Sequence, residues 1–220
     1  AHRLLQRGHR VVIVEQDDEL SPGDRPGKKV ITRSVARVLT PGTIIDLDLL
    51  DGRTNNYLAA IVVEGETYGL AYCDVSTGEF VATEFGGEHA VTRLEGELMR
   101  LLPAEVLISQ DSLLPLVQPV QPAPIESVTD DPQWTKGHVT VWPSWRWDLA
   151  TATEQLLRQF DVVTLDGYGL GTQPLATRAA GAVLQYLHET QRSAVPQIER
   201  IEVVSQATTM VLDQQTQRNL

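Results

Sequence analysis

Three carboxylates of this 220-residue chain fall in an order that could support metal-dependent chemistry. Asp74, Glu97 and Asp111 follow one another through a predicted strand, a predicted helix and the residues after a further predicted strand. Clustered carboxylates can hold two metal ions about 4 Å apart and activate water for attack on a phosphodiester. The sequence therefore raises a metal-dependent nuclease as one hypothesis.

The remaining reactive side chains match no catalytic or metal-binding pattern. The five histidines show none of the HxxxH, HxH or HExxH spacings, and Cys73 is the single cysteine, which excludes an internal disulfide or a thiolate cluster. There is no GxSxG motif. DGYGLG at 166–171 lacks both GxxxxGK[ST] and GxGxxG spacing, and we interpret it as a turn between helices. We therefore assign no catalytic, metal or cofactor residue.

The tryptophans are concentrated in one proline-rich segment, residues 115–147, which we predict to be irregular. Two interpretations are open. The rings pack beneath the segment, or they form a surface for a protein partner, with Trp142 and Trp145 as the candidate contacts. Stacking on nucleobases is less favoured because acidic residues outnumber the two nearby basic residues, Lys136 and Arg146.

The net charge of −11 is unevenly distributed. Residues 1–43 contain 8 Lys+Arg and 5 Asp+Glu, so they carry +3, and the rest carries −14. Any contact with DNA should therefore fall in the first segment, where Lys28, Lys29 and Arg33 are candidate phosphate ligands. A nucleic-acid-binding module based on this segment is a further hypothesis. The acidic remainder is typical of a solubilising surface.

The predicted elements that position these residues form an α/β unit. Short apolar runs predict a buried strand at 11–16 and a second strand at 30–39, before a turn at 40–43. Three closely spaced runs predict an antiparallel meander, followed by a helix and a strand: 57–64, 67–76, 79–85, 88–102 and 105–109. This is the element order of the ribonuclease H fold, but YLAAIVV at 57–63 carries no acid where such nucleases need one.

The second half of the chain is predicted to be mainly helical. A helix is expected at 148–160 with Asp148 as its N-cap, and the longest one at Leu175–Arg192. A strand follows at 201–205, and Asp213 and Thr216 indicate another helix start. The first residue is not Met and the last pattern is incomplete, so we expect an internal segment of a longer chain. No spanning helix or secretory signal is predicted, which favours the cytoplasm.

Several strings, in collinear order, resemble bacterial MutS-type DNA mismatch-repair proteins. VVIVEQ (11–16) and RVLTPGTIID (37–46) are similar to the end of the mismatch-binding domain. The matches to the connector domain are NNYLAAI (55–61), YGLAYCDVSTGEF (68–80), LMRLLPAEVLIS (98–109), WRWD (145–148), QFDVVTLDGYGLG (159–171) and AAGAVLQYLHETQR (179–192). MVLDQQTQRNL (210–220) resembles the start of the core or lever domain.

The resemblance implies a division into three parts. Residues 1–43 would end the mismatch-binding domain, 44–198 would form a ribonuclease H-like connector with a mixed sheet and flanking helices, and 199–220 would begin the lever. The Phe-x-Glu wedge that probes mismatches is expected before residue 1, and the ATPase P-loop after Leu220. ATP and Mg²⁺ would therefore be cofactors of the full-length protein, with none in these 220 residues.

The resemblance also implies a function. We expect a connector that couples mismatch recognition to the ATPase and lever, offers a docking surface to MutL, and has no catalytic activity of its own. Two flexible junctions, near 40–46 and 193–208, would allow the rigid connector to pivot. The full-length protein would bind mismatched duplex DNA, form a homodimer through other domains, and be nucleoid-associated without membrane contact. The alternative remains a ribonuclease H-like metal-dependent nuclease.

Overall fold

The computed structural model of the chain describes residues 2–5, 7, 9–17, 32–45, 54–110, 138–192 and 195–204. Several predictions lie outside these described residues: the phosphate ligands Lys28 and Lys29, the carboxylate Asp111, the ring of Trp134 and the helix start at 210–220. The described helices are α1 (His2–Leu5), α2 (Ala90–Leu101), α3 (Leu149–Phe160) and α4 (Pro174–Gln191).

The strands form two sheets. An antiparallel hairpin pairs β1 (Val11–Asp17) with β2 (Thr32–Leu39). The larger, six-stranded sheet has the order β7-β6-β3-β4-β5-β8. Its strands are β3 (Leu58–Glu64), β4 (Thr67–Asp74), β5 (Glu79–Phe85), β6 (Glu105–Ser109), β7 (His138–Trp142) and β8 (Glu202–Val204).

The antiparallel meander β3-β4-β5 forms the centre of the larger sheet, as predicted. Local sequence explains it, because Gly65 (φ 59°) and Gly78 (φ 78°) supply the left-handed conformation that the two tight connections require. Strands β6, β7 and β8 are added in parallel, to β3, β6 and β5 respectively. The predicted α/β class with a mixed sheet and flanking helices is thus confirmed.

Both faces of the sheet are covered, which explains the nearly continuous apolar sequence of its central strands. On one face Ala59 and Ile61 pack with the buried side of α2. On the other face Leu58 and Ala60 pack with α4, most of whose length is buried. Helix α3 begins at the predicted N-cap, where the Asp148 carboxylate accepts a 2.9 Å hydrogen bond from the Thr151 amide.

Three predictions about the elements were wrong. Strand β1 is not buried, because Val12 and Val14 are 52% and 50% exposed on its outer side. The segment predicted to be irregular contains β7, whose parallel pairing with β6 could not be inferred from local sequence. The junction predicted to be flexible near 40–46 is packed over its described residues, 40–45, because Thr40, Thr43 and Ile44 are buried. Across the described ranges, no helix is long and apolar enough to cross a membrane.

Candidate functional site

Backbone amides and one hydroxyl group donate hydrogen bonds to both oxygens of the Asp74 carboxylate. Its Oδ2 accepts a 2.9 Å hydrogen bond from the Asn56 amide. Its Oδ1 accepts from the Ser76 amide at 2.9 Å and from the Ser76 hydroxyl at 2.6 Å. The side chain is 1% exposed. Asp74 therefore closes the turn between β4 and β5, a structural role typical of Asp at strand ends.

The second candidate ligand, Glu97, is paired within its own helix. Its carboxylate lies 2.6 Å from the Arg100 guanidinium, which also donates to the Tyr72 hydroxyl at 3.2 Å. Burial, reinforced by the Glu97 charge, raises the pKa of Tyr72 to about 12. The described part of the chain contains no group of three or more His, Cys, Asp or Glu side chains that could hold a metal ion. It therefore gives the nuclease hypothesis no support.

A different carboxylate, Glu105, forms the centre of a polar cluster in the core. It begins β6 and is 0% exposed. Its Oε2 accepts from the Thr40 hydroxyl at 2.5 Å and from the Gly42 amide at 3.0 Å. Its Oε1 accepts from the Thr140 hydroxyl at 2.7 Å and from the Tyr186 hydroxyl at 2.6 Å. We call these five residues the junction cluster.

The junction cluster satisfies the requirement that a buried carboxylate be surrounded by donors. Burial, together with the adjacent Glu105 carboxylate, raises the pKa of Tyr186, so this phenol remains a hydrogen-bond donor at neutral pH. Arg10 supplies nearby positive charge, because it donates to the Thr140 hydroxyl at 3.4 Å and its guanidinium lies 5.9 Å from the centre of the Tyr186 ring. Both oxygens of the Glu105 carboxylate are therefore hydrogen-bonded, and the Arg10 guanidinium contacts two of its partners.

The turn at 40–43 is held at further points. The Asn56 side-chain amide donates to the Pro41 carbonyl at 2.9 Å, and the Gln191 side-chain amide donates to the Thr43 carbonyl at 2.8 Å. A Cβ atom at Gly42 would lie 2.8 Å from the Glu105 Cβ, so only glycine allows this close approach. The turn after the hairpin is consequently fixed to Asn56 before β3, to Glu105 of β6 and to Gln191 at the end of α4.

Sequence analysis did not identify the junction cluster. The available signals were an acidic residue at the start of an otherwise apolar strand, EVLIS, and two threonines flanking Pro-Gly in TPGT. The partners of Glu105 lie between 35 and 81 positions away in the chain. No local pattern connects residues across such separations.

Trp142 is buried, so it is not part of an exposed surface. This contradicts the interpretation in which Trp142 and Trp145 together contact a protein partner. The Trp142 ring is 8% exposed. It packs edge-on against Trp147 and Tyr186, with ring centroids 6.5 and 5.4 Å away. Because β7 directs Trp142 toward α4, the packing interpretation is the one that holds for this residue and for the buried Trp147.

Trp145 is 67% exposed and remains a candidate for partner contact. The Arg146 guanidinium lies 4.1 Å from the centre of its ring and 5.0 Å from that of Trp142. Arg146 also forms an ion pair with Glu189 on α4. These contacts orient an indole ring at the surface beside a fixed cation, an arrangement suited to binding a protein partner.

The predicted phosphate ligands are not assembled into a site by the described residues. Arg33 is exposed on β2, opposite Gln16, and Lys28 and Lys29 precede the described part of that strand. Arg10, another base of the first segment, is directed toward the junction cluster. A role for Lys28, Lys29 and Arg33 in DNA contact stays a prediction.

Comparison with known proteins identifies two matching family profiles. Residues 56–199 match MutS domain II, and residues 1–48 match MutS domain I. The curated protein named DNA mismatch repair protein MutS from Chloroflexus aurantiacus (strain J-10-fl) is 42% identical over 259 residues, covering 99% of this chain and 27% of that protein.

Proteins of the same name from other bacteria are similarly related. The one from Roseiflexus castenholzii is 40% identical and the one from Syntrophomonas wolfei is 35% identical, each over 99% of this chain and 24% of its own length. The chain thus spans about a quarter of the length of the curated relatives it matches.

Proposed function

Because this chain belongs to the MutS family of DNA mismatch-repair proteins, we propose that it couples mismatch recognition to the ATPase and lever parts of a larger protein. In this proposal residues 1–43 end the mismatch-binding domain, 44–198 form a ribonuclease H-like connector, and 199–220 begin the lever. The profile matches to 1–48 and 56–199 support the first two of these parts.

The observation that carries the coupling role is the attachment of the hairpin to the larger sheet. The turn that follows β2 is buried and bonded to Glu105 of β6, to Asn56 before β3 and to Gln191 at the end of α4. A displacement of the hairpin must therefore act on the connector through a packed, hydrogen-bonded contact. Rigid bodies joined in this way convert binding at one end into movement at the other.

The coupling is mechanical, and no chemical step is assigned to these residues. ATP and Mg²⁺ do not fit here, because the sequence has no GxxxxGK[ST] motif and DGYGLG folds as two short 3-10 turns, Asp166–Tyr168 and Leu170–Thr172. We propose that these cofactors, and the homodimer contacts, belong to other parts of the full-length protein.

The docking part of the proposal places MutL at the surface around Trp145. An exposed aromatic ring stacked on an arginine is a common centre of protein–protein binding energy. Val141 and Leu149, which are close to Trp145 in the sequence, are also exposed apolar residues, at 47% and 42%.

Replacing Trp145 with alanine should weaken MutL binding by tenfold or more, because central interface aromatics commonly contribute about 2 kcal/mol or more. The measurement is a titration of labelled chain with purified bacterial MutL, followed by fluorescence anisotropy. Val163→Ala is the matched control, since Val163 is a 96% exposed apolar residue elsewhere. Equal binding by the wild-type chain and the Trp145→Ala variant would remove Trp145 from the interface.

The chain should bind matched and mismatched duplexes equally and weakly. Its net charge is −11, and its sequence contains no Phe-x-Glu motif of the mismatch-probing wedge. The test is a titration of labelled 30-base-pair duplexes, with and without one G·T mismatch, at two salt concentrations. A several-fold preference for the mismatched duplex would show that this chain reads DNA by itself.

A further inference from the structure

The two oxygens of the Glu105 carboxylate face two different parts of the molecule. Both donors to Oε2, the Thr40 hydroxyl and the Gly42 amide, come from the turn that ends the hairpin. Both donors to Oε1 come from the connector: the Thr140 hydroxyl on β7 and the Tyr186 hydroxyl on α4. One planar group thus lies between the hairpin turn and the outer strand and long helix of the connector.

We propose that Glu105 is the positioning residue that transmits displacement of the hairpin turn to β7 and α4. This inference deepens the proposed coupling role and rests on it. It also replaces the expected flexible junction near 40–46 with a fixed one. Pivoting of the hairpin against the connector then requires the bonds to Oε2 to break.

The reason for tight transmission is the burial of the carboxylate. With Glu105 at 0% exposure, an Oε2 that lost its donors would have no water to replace them. The carboxylate therefore follows the turn, and because the group is rigid and planar, Oε1 moves with Oε2. The Thr140 and Tyr186 hydroxyls then shift or lose their acceptor.

A second contact reinforces the same connection. Gln191, in the last turn of α4, donates to the Thr43 carbonyl at 2.8 Å. Tyr186 lies five positions earlier on the same helix. Helix α4 therefore holds the turn at two points, one directly and one through Glu105, and a tilt of the helix changes both.

A purely structural role for Glu105 predicts a different response from a transmitting one. The Glu105→Gln variant keeps the volume but has only one acceptor oxygen. The hydroxyls of Thr140 and Tyr186 can rotate to accept a bond from the new amide nitrogen, whereas the Gly42 amide can only donate. The new side chain therefore turns its carbonyl oxygen toward Gly42 and its NH2 group toward the Oε1 side. Direct contact with the turn is kept, so any effect of Glu105→Gln on the turn must be transmitted from the Oε1 side, as it must in variants that alter only that side.

The test is amide hydrogen exchange of the whole 220-residue chain, resolved by NMR. In Glu105→Gln, exchange of the Gly42 and Thr43 amides should become several-fold faster, while Leu70 and Ala71 in the centre of β4 exchange as before. Thr140→Val and Tyr186→Phe, which remove donors only from Oε1, should accelerate the turn amides several-fold. Glu97→Gln, at a partly exposed position of α2, is the control and should change none of them.

Unchanged exchange at Gly42 and Thr43 in both Thr140→Val and Tyr186→Phe would overturn the inference. Equal acceleration of the turn and of Leu70 would also overturn it, because that result describes a general loss of stability. If Glu105→Gln does not fold, the two milder variants decide the matter. The exchange result is independent of the duplex and MutL titrations, so failure of transmission and failure of the coupling role are distinguishable.

Discussion

Replacement of Glu105 with alanine should lower the free energy of unfolding by about 3–5 kcal/mol. The change removes the acceptor of four buried donors, on Thr40, Gly42, Thr140 and Tyr186, and leaves a cavity beneath the turn. Each unsatisfied donor costs about 1–3 kcal/mol before the structure relaxes. Urea unfolding monitored by circular dichroism measures the difference.

The control for this prediction is Glu97→Ala. Glu97 forms an ion pair with Arg100 on the surface of α2, and exposed pairs of this kind contribute about 0.2–1 kcal/mol. A loss of less than about 1 kcal/mol in Glu105→Ala would mean that water or rearranged side chains satisfy the four donors, and that the junction cluster has little energetic importance.

The same substitution, glycine to alanine, should have opposite effects in two helices. At Gly181 of α4 an added Cβ would lie 2.3 Å from the Ala152 Cβ and 2.5 Å from the Ala152 Cα on α3. The two helices must then separate, and we expect a destabilisation of about 1–3 kcal/mol despite the better helix propensity of alanine. At Gly96 of α2 nothing lies within 4 Å of the added atom.

Gly96→Ala should therefore stabilise the chain by about 0.5–1 kcal/mol, because alanine loses less backbone entropy on forming a helix. Thermal and urea unfolding of both variants check the pair. Equal effects at the two positions, of either sign, would show that the close crossing of α3 and α4 at Gly181 is not maintained in solution.

Sequence analysis succeeded where the determining contacts are local. The meander follows from three apolar runs separated by short turns, and Gly65 and Gly78 supply the required positive φ. The N-cap at Asp148 depends on an amide only three residues away. Such features are specified by residues that are close in the chain, so composition and spacing predict them.

The features that sequence analysis missed depend on distant residues. Strand β7 exists because it pairs in parallel with β6, more than thirty positions earlier, and its proline-rich surroundings favour an irregular structure when they are considered alone. The apolar run VVIVEQ predicts a buried strand, but whether Val12 of β1 is covered depends on what packs against it. Trp142 and Trp145 have similar sequence surroundings, but β7 directs Trp142 toward α4, whereas Trp145 lies on the 3-10 turn Ser144–Trp147 and is exposed.

Sequence strings that occur in the same order as in the family thus predicted the family and the general architecture, whereas they did not predict the junction cluster. Thr40, Glu105 and Tyr186 are ordinary residues in their own elements, and their importance arises only when a turn, a strand and a helix meet. An acidic residue at the first position of an otherwise apolar strand is nevertheless a useful signal. If the strand is buried, the carboxylate requires hydrogen-bond donors from elsewhere in the fold.

The central claim is that the hairpin and the connector sheet move as one body, and a distance measurement tests it most directly. Spin labels at Glu15→Cys on β1 and Glu154→Cys on α3 would occupy exposed positions, and the native Cys73 is buried and should not react. Double electron–electron resonance should give one narrow distance distribution for the wild-type background and a broader one with Glu105→Ala, which removes the acceptor of both turn donors. A broad or two-component distribution in the wild-type background would contradict the account.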